Sequence, residues 1–185
     1  MEEPSLLVKP IHRMIRSERL VDHDTLRRIG LVERSKDLAA FQRWLEAGTG
    51  QGRFGYADGQ GLYQLTIHPE ALARWLMAPA VPLPVASLDV SILHGFVLPT
   101  LGLPLTWLGH EEREARTQVS FTAEASEALE AVSRGHGCSA WLLRGIPVPQ
   151  VYALASQGFT LPPKSTYFYP KVPSGLAINP FEHRA

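Results

Sequence analysis

Cysteine is almost missing from this sequence. Cys138 is the only one in 185 residues, which excludes an internal disulfide and any zinc or iron–sulfur site built from several thiolates. A charge excess is missing too. The 18 basic side chains are matched by 18 acidic ones, so the basic footprint of a dedicated nucleic-acid binder is absent and no nucleic-acid partner is expected. Long apolar runs are lacking. The N-terminus MEEPSLLVKP is acidic and holds no apolar core of signal-peptide length, and the most apolar stretch, Leu88 to Leu101, carries Asp89, His94 and Pro99. It is too short to span a bilayer, so no membrane partner is expected and the expected compartment is the cytoplasm. Lysine and asparagine are scarce: Lys9, Lys36, Lys164 and Lys171 stand against fourteen arginines, and Asn179 is alone. Thermophily and a GC-rich genome both produce that bias. What is present, 45% hydrophobic and 19% charged residues, is the composition of a folded chain.

The order of elements follows from pattern and punctuation. Ser5 to Ile15 reads as a strand with Pro10 at an edge or bulge. Asp22 to Ile29 reads as a short helix. A stronger helix follows, with Ser35 as N-cap, Asp37 in its first turn and Gly48 as its stop; Leu38, Phe41, Trp44 and Leu45 form one apolar stripe. RFGYA and LYQLTI flank the turn Asp58-Gly59-Gln60-Gly61 as a hairpin. Pro69 suits the first position of a helix through Met77, and Pro79 to Pro84 form an extended connector. Ser87 is expected to cap a helix to about Leu98 that is apolar almost all round and therefore buried. LTWLG and QVSFT read as strands, and Thr122 is expected to cap a helix through Arg134. CSAWLLR reads as an apolar strand holding a buried, unreactive Cys138, PVPQVYALASQG as a helix ended by Gly158, and KSTYFYP as a last strand. The fold class expected is mixed α+β: a mixed or mostly antiparallel sheet packed by helices, one domain over residues 1–185, with a possible sub-boundary near 79–85.

Several constellations invite chemistry. Gly50, Gly52 and Gly55 spell GxGxxG, but a helix precedes and a strand follows, the reverse of a dinucleotide site, so the glycines read as a turn. His136 and Cys138 have no second pair at zinc spacing, and no metal site is expected. Asp89 and His94 lie about 140° apart on one helix and so on different faces. Asp89 then reads as a first-turn carboxylate facing the helix dipole, and His94 as a hydrogen-bonded core histidine.

Two segments carry more. In Lys9-Pro10-Ile11-His12-Arg13, strand geometry puts Lys9, Ile11 and Arg13 on one face and Pro10 and His12 on the other. In Pro162 to Lys171, half of all the lysines lie beside two hydroxyls and three aromatics. Lysine beside Ser-Thr suits an anion by charge and donors together, and Phe168 is expected to anchor this strand in the core. No glycine-rich loop precedes Lys164, so it is not a P-loop. Each segment also reads as plain structure, an edge strand bearing cations and an aromatic strand with Lys ends. The candidate ligand-binding residues are Lys164, Ser165, Thr166, Lys171, His12 and Arg13.

PIHRMI, at 10–15, together with PPKSTYFYPKVPSGL, at 162–176, resembles the prokaryotic family called domain of unknown function 1015. LDVSILH, at 88–94, and VPQVYALASQG, at 148–158, are similar to the same pattern. The resemblance runs from about Glu3 to Ile178 and corresponds to the C-terminal half of a usual member. Upstream, members carry an Asp-Gly-His-His-Arg stretch similar to that of ParB-like nucleotide-handling proteins, including free-serine kinases, and this sequence has none. The positions matching family motifs are His12, Arg13, Asp89, His94, Lys164, Ser165, Thr166, Tyr167, Tyr169 and Lys171. No established function comes with that family, so none is carried over; the expectation from the residues is a phosphate- or nucleotide-binding portion of a small-molecule phosphotransferase-like protein, not catalytic alone. Two alternatives stand beside it: an interaction module completing a separately encoded N-terminal half, and a structural remnant without ligand. The expected partners are a phosphorylated small molecule or nucleotide, and a second chain in a homodimer or hetero-complex.

Overall fold

In the computed structural model, residues 7–17, 21–77, 80–103, 119–135 and 139–170 are described. The first sequence segment is two strands. β1 (Leu7–Lys9) and β2 (His12–Ile15) join different sheets, because Pro10 has no N–H to give to a ladder and the chain turns out of one sheet there. Then follow α1 (His23–Ile29), β3 (Gly30–Arg34), α2 (Leu38–Ala47), β4 (Arg53–Asp58), β5 (Gly61–Ile67) and α3 (Pro69–Met77). After them come α4 (Leu83–Ala86), α5 (Asp89–Ile92), a π-helical turn at Leu93–Val97 and α6 (Leu98–Thr100). β6 (Val119–Thr122), α7 (Ala125–Ser133), β7 (Ser139–Leu142), α8 (Val148–Ser156) and β8 (Tyr167–Tyr169) complete the described elements.

Six strands form one sheet in the order β3-β5-β4-β7-β2-β6, every pair antiparallel, and β1 and β8 form a separate antiparallel pair. The fold is mixed α+β with an antiparallel sheet, as composition and element order predict. Strand alternation sorts the side chains into two cores. Ile15, Phe54, Tyr56, Leu65 and Trp141 point to one face and pack against Leu26 of α1, Ala71 of α3, Leu154 of α8 and the apolar run from Val85 to Leu98. Ala57, Ala140 and Leu142 point to the other face, under Phe41 and Leu45 of α2 and Ala128 and Val132 of α7. The larger core therefore holds residues from both sides of the 79–85 connector.

Local chemistry explains the departures from the sequence reading. Asp37, not Ser35, caps α2: its carboxylate accepts from Ala40 N at 2.7 Å, while the Ser35 hydroxyl donates to the Asp37 carbonyl. Ser87 does not start α5: it is the C-cap of α4, its N–H donating to Leu83 O and its hydroxyl to Pro84 O at 3.0 Å, and the extended Leu88 is the N-cap of α5. Thr122 stands before the N-cap Glu124, whose N–H its hydroxyl accepts. β3 follows α1 with no break, and its pairing with β5 is set by residues much later in the chain. Phe168 is 43% exposed on the small sheet and does not anchor it. The expected strand LTWLG, together with His136, Cys138 and Lys171, lies outside the described residues.

The π-helical turn departs most from a plain helix. One extra residue per turn rotates the side chains that follow, and such turns recur at functional sites. Here the turn contains His94 and Gly95. A Cβ on Gly95 would overlap the Trp75 indole, whose Nε1–H donates to Ala86 O at 3.0 Å, so the missing side chain lets α3 approach this turn.

Candidate functional site

The loop after β7 organises the site. Arg144 leaves the sheet and gives Nε and Nη2 to Asp89 Oδ2 at 3.1 and 2.8 Å, Nη1 to Gly48 O at 2.8 Å, and Nη2 also to Gly50 O. The other oxygen of Asp89 accepts from Gly52 N at 2.8 Å. Asp89 thus ties the glycine loop to the sheet end instead of facing its own short helix. Burial raises its carboxyl above the usual range, against the pull of Arg144. Gly145 comes next. A Cβ there would meet Val8 O at 2.8 Å and Pro10 at 3.5 Å, so the loop packs directly on β1 and the proline that follows it.

Arg13 lies on the same sheet face as Trp141 and Phe121, its partners across β7 and β6, and is 1% exposed. Its Nε donates to His94 Nε2 at 2.9 Å, Nη2 to Lys164 O at 2.8 Å, and Nη1 to Ile11 O. All three acceptors are neutral. Burial lowers the Arg13 pKa to about 9, so it remains a cation at neutral pH, and among the described residues no carboxylate bonds it. A guanidinium carries five N–H bonds, so one on each Nη is left without an acceptor among the described residues. His94 is held neutral, its pKa lowered to about 3 by burial and then by the Arg13 charge.

Arg13, Ile11, Gly50, Asp89, Arg144 and Ser165 contribute to the wall of a cavity of about 320 Å³. Asp89 balances Arg144, so the net charge lining it is that of Arg13. The turn before β8 reaches the same place. Lys164 sits at φ 57°, a left-handed conformation uncommon for a residue with a side chain, with its carbonyl on Arg13; the Ser165 hydroxyl donates to Pro162 O.

The six sequence candidates therefore divide. Arg13 and Ser165 line this cavity. Lys164 contributes its carbonyl while its exposed Nζ lies 6.0 Å above the Phe121 ring, and Thr166 lines neither of the two cavities. His12 points to the opposite sheet face and lines a second cavity of about 480 Å³, which shares only Leu143, Arg144 and Gly145 with the first. Lys171 is outside the described residues. Sequence reasoning missed Arg144, whose partners Gly48, Gly50 and Asp89 are distant in the chain; the one available signal was an arginine ending an apolar strand beside glycine. Comparison with known protein families, with curated proteins and with solved structures finds no match to this chain. Among the described residues no helix is long and apolar enough to cross a membrane.

Proposed function

We propose that this chain binds the phosphate group of a small phosphorylated molecule or a nucleotide in the Arg13 cavity. The observation that carries the reading is a fully buried guanidinium, bonded among the described residues only to neutral groups, on the wall of a cavity of ligand size. A buried cation is stable when paired, and two N–H bonds on adjacent nitrogens match two oxygens of a phosphate. Lys164 adds an exposed positive charge beside the cavity, and the Ser165 hydroxyl, whose proton goes to Pro162 O, is part of the polar wall. Binding in the cytoplasm to such metabolites, without independent catalysis, is the role proposed.

Calorimetric titration of phosphate, ATP and phosphoserine tests it. Arg13→Lys keeps the charge but not the paired donors, and is expected to weaken binding about ten- to a hundredfold, the equivalent of one charge-assisted contact. Ser165→Ala, with melting to confirm folding, provides a milder variant. No heat with millimolar ligand, or unchanged affinity in folded Arg13→Lys, contradicts the reading.

A second reading, association with another chain, is favoured by exposed apolar side chains on neighbouring edges. Leu7, Phe168 and Tyr169 are exposed on the small sheet, and Phe121 on the edge strand β6. Open edges with apolar side chains are normally covered. Sedimentation velocity is expected to show a homodimer or, with a separate N-terminal half present, a hetero-complex; a monomer at high micromolar concentration in both cases contradicts it.

A further inference from the structure

The glycine loop at 48–52 contributes Gly50 and Gln51 to the wall of the Arg13 cavity. Gly50 and Gly52, at φ 98° and 76°, take the left-handed conformation and set Gln51 between them. Three bonds pin this loop: Asp89 accepts from Gly52 N, and Arg144 donates to the Gly48 and Gly50 carbonyls. Gln51 is exposed on the wall, and so is Gln150, in the first turn of α8. Among the described residues neither side-chain amide has a hydrogen-bond partner.

Charge and shape narrow what fits there. Arg144 and Asp89 answer each other, so among the described lining residues the one unpaired charge is Arg13. A single buried cation suits one phosphate group; a triphosphate chain brings several further negative charges with nothing on this wall to meet them. A body with its own ammonium and carboxylate would shed water from both without partners, since Lys164 stands outside the wall, over the Phe121 ring. Among the described residues no aromatic side chain lines the cavity, so a nucleobase finds no ring to stack on. The volume of about 320 Å³ is at the small end of ligand pockets, which run to about 1,000 Å³. Each amide offers donors and an acceptor, which matches a hydroxyl, itself both donor and acceptor. Ile11, Leu143 and Ile146 add apolar surface for a short carbon chain.

We propose that the glycine loop and Gln150 select the body of the ligand: a short, uncharged polyol carrying one phosphate, with its hydroxyls on the Gln51 and Gln150 amides and its phosphate on Arg13. The inference rests on the phosphate reading and adds a substrate class to it, preferred over nucleotides and phosphorylated amino acids. The Asp89–Arg144 clasp then has a second role, since it holds the loop that presents Gln51.

The test is calorimetric titration of inorganic phosphate, glycerol phosphate, phosphoserine and ATP into the wild-type protein. Glycerol phosphate is expected to bind at least about tenfold more tightly than each of the others, the equivalent of one or two added hydrogen bonds. Gln51→Ala/Gln150→Ala is expected to bring the preference for glycerol phosphate over inorganic phosphate down to about one. Arg13→Lys weakens both ligands together. Phosphate binding without that preference, ATP or phosphoserine bound as tightly as glycerol phosphate, or a preference that survives in the folded double variant overturns this inference alone. No binding of any of these ligands at millimolar concentration overturns the phosphate reading and this inference together. Both glutamines are exposed, so the double variant is expected to fold; if it does not, the wild-type ranking of ligands decides.

Discussion

Replacing Asp89 by alanine is expected to destabilise the protein by about 3 kcal/mol. Asp89 balances Arg144 and accepts from Gly52 N, and the pair is mostly buried, with side-chain exposures of 24% for Arg144 and 12% for Asp89. Removing the carboxylate leaves a guanidinium held in place by the Gly48 and Gly50 carbonyls with no counter-charge. Breaking such a pair costs about 3–5 kcal/mol when it is fully buried, and the partial exposure of Arg144 puts the effect at the low end. Asp89→Asn keeps an oxygen for Gly52 N–H and should lose less. Urea denaturation at neutral pH measures both. A loss below about 0.5 kcal/mol in Asp89→Ala would show that the clasp contributes no more than a surface pair.

Mild acid is expected to have a larger effect. His12 and His94 ordinarily take up a proton near 6.5, and in the folded protein only at about 4 and about 3, because burial and the Arg13 charge oppose a second cation. Below 6.5 the unfolded chain therefore binds protons that the folded chain does not. Stability falls as pH falls, and the loss continues until the folded pKa values are reached. Each histidine contributes about 1.4 kcal/mol per pH unit within that window, so the two together should remove about 4 kcal/mol between about pH 7.5 and 5. Asp89, its carboxyl raised by burial, works in the opposite sense and offsets part of this. Asp58 and Glu124, both lowered, act only at more acid pH. Urea midpoints at the two pH values test the point. His12→Gln/His94→Gln is expected to flatten the dependence, and equal wild-type stability at both pH values contradicts it.

Elements specified by neighbours in sequence were legible. The Asp58-Gly59 turn gives the β4–β5 hairpin, Pro69 the start of α3, and the Leu38-Phe41-Leu45 stripe the buried face of α2. Alternation along β2 separates Arg13 from His12, although Pro10 ends the strand before Lys9 can share a face with Ile11. The segments that meet at Arg13 were also legible as unusual. Their meeting was not, because Arg13 reaches Lys164 and His94 through sheet order and a π-helical turn, and neither leaves a periodic trace. Asp89 is the clearest case. As a first-turn carboxylate it satisfies a local rule, yet its partners are Gly52 and Arg144, on two other elements.

The central claim is that Arg13 is a buried cation waiting for an oxyanion. The most direct measurement is a crystal structure of the wild-type protein grown without phosphate and then soaked in it. The account predicts tetrahedral density within hydrogen-bond distance of both Nη atoms of Arg13, beside Ser165, with Asp89 and Arg144 unmoved. Ordered water alone in that cavity after the soak, or phosphate bound only elsewhere, would contradict it.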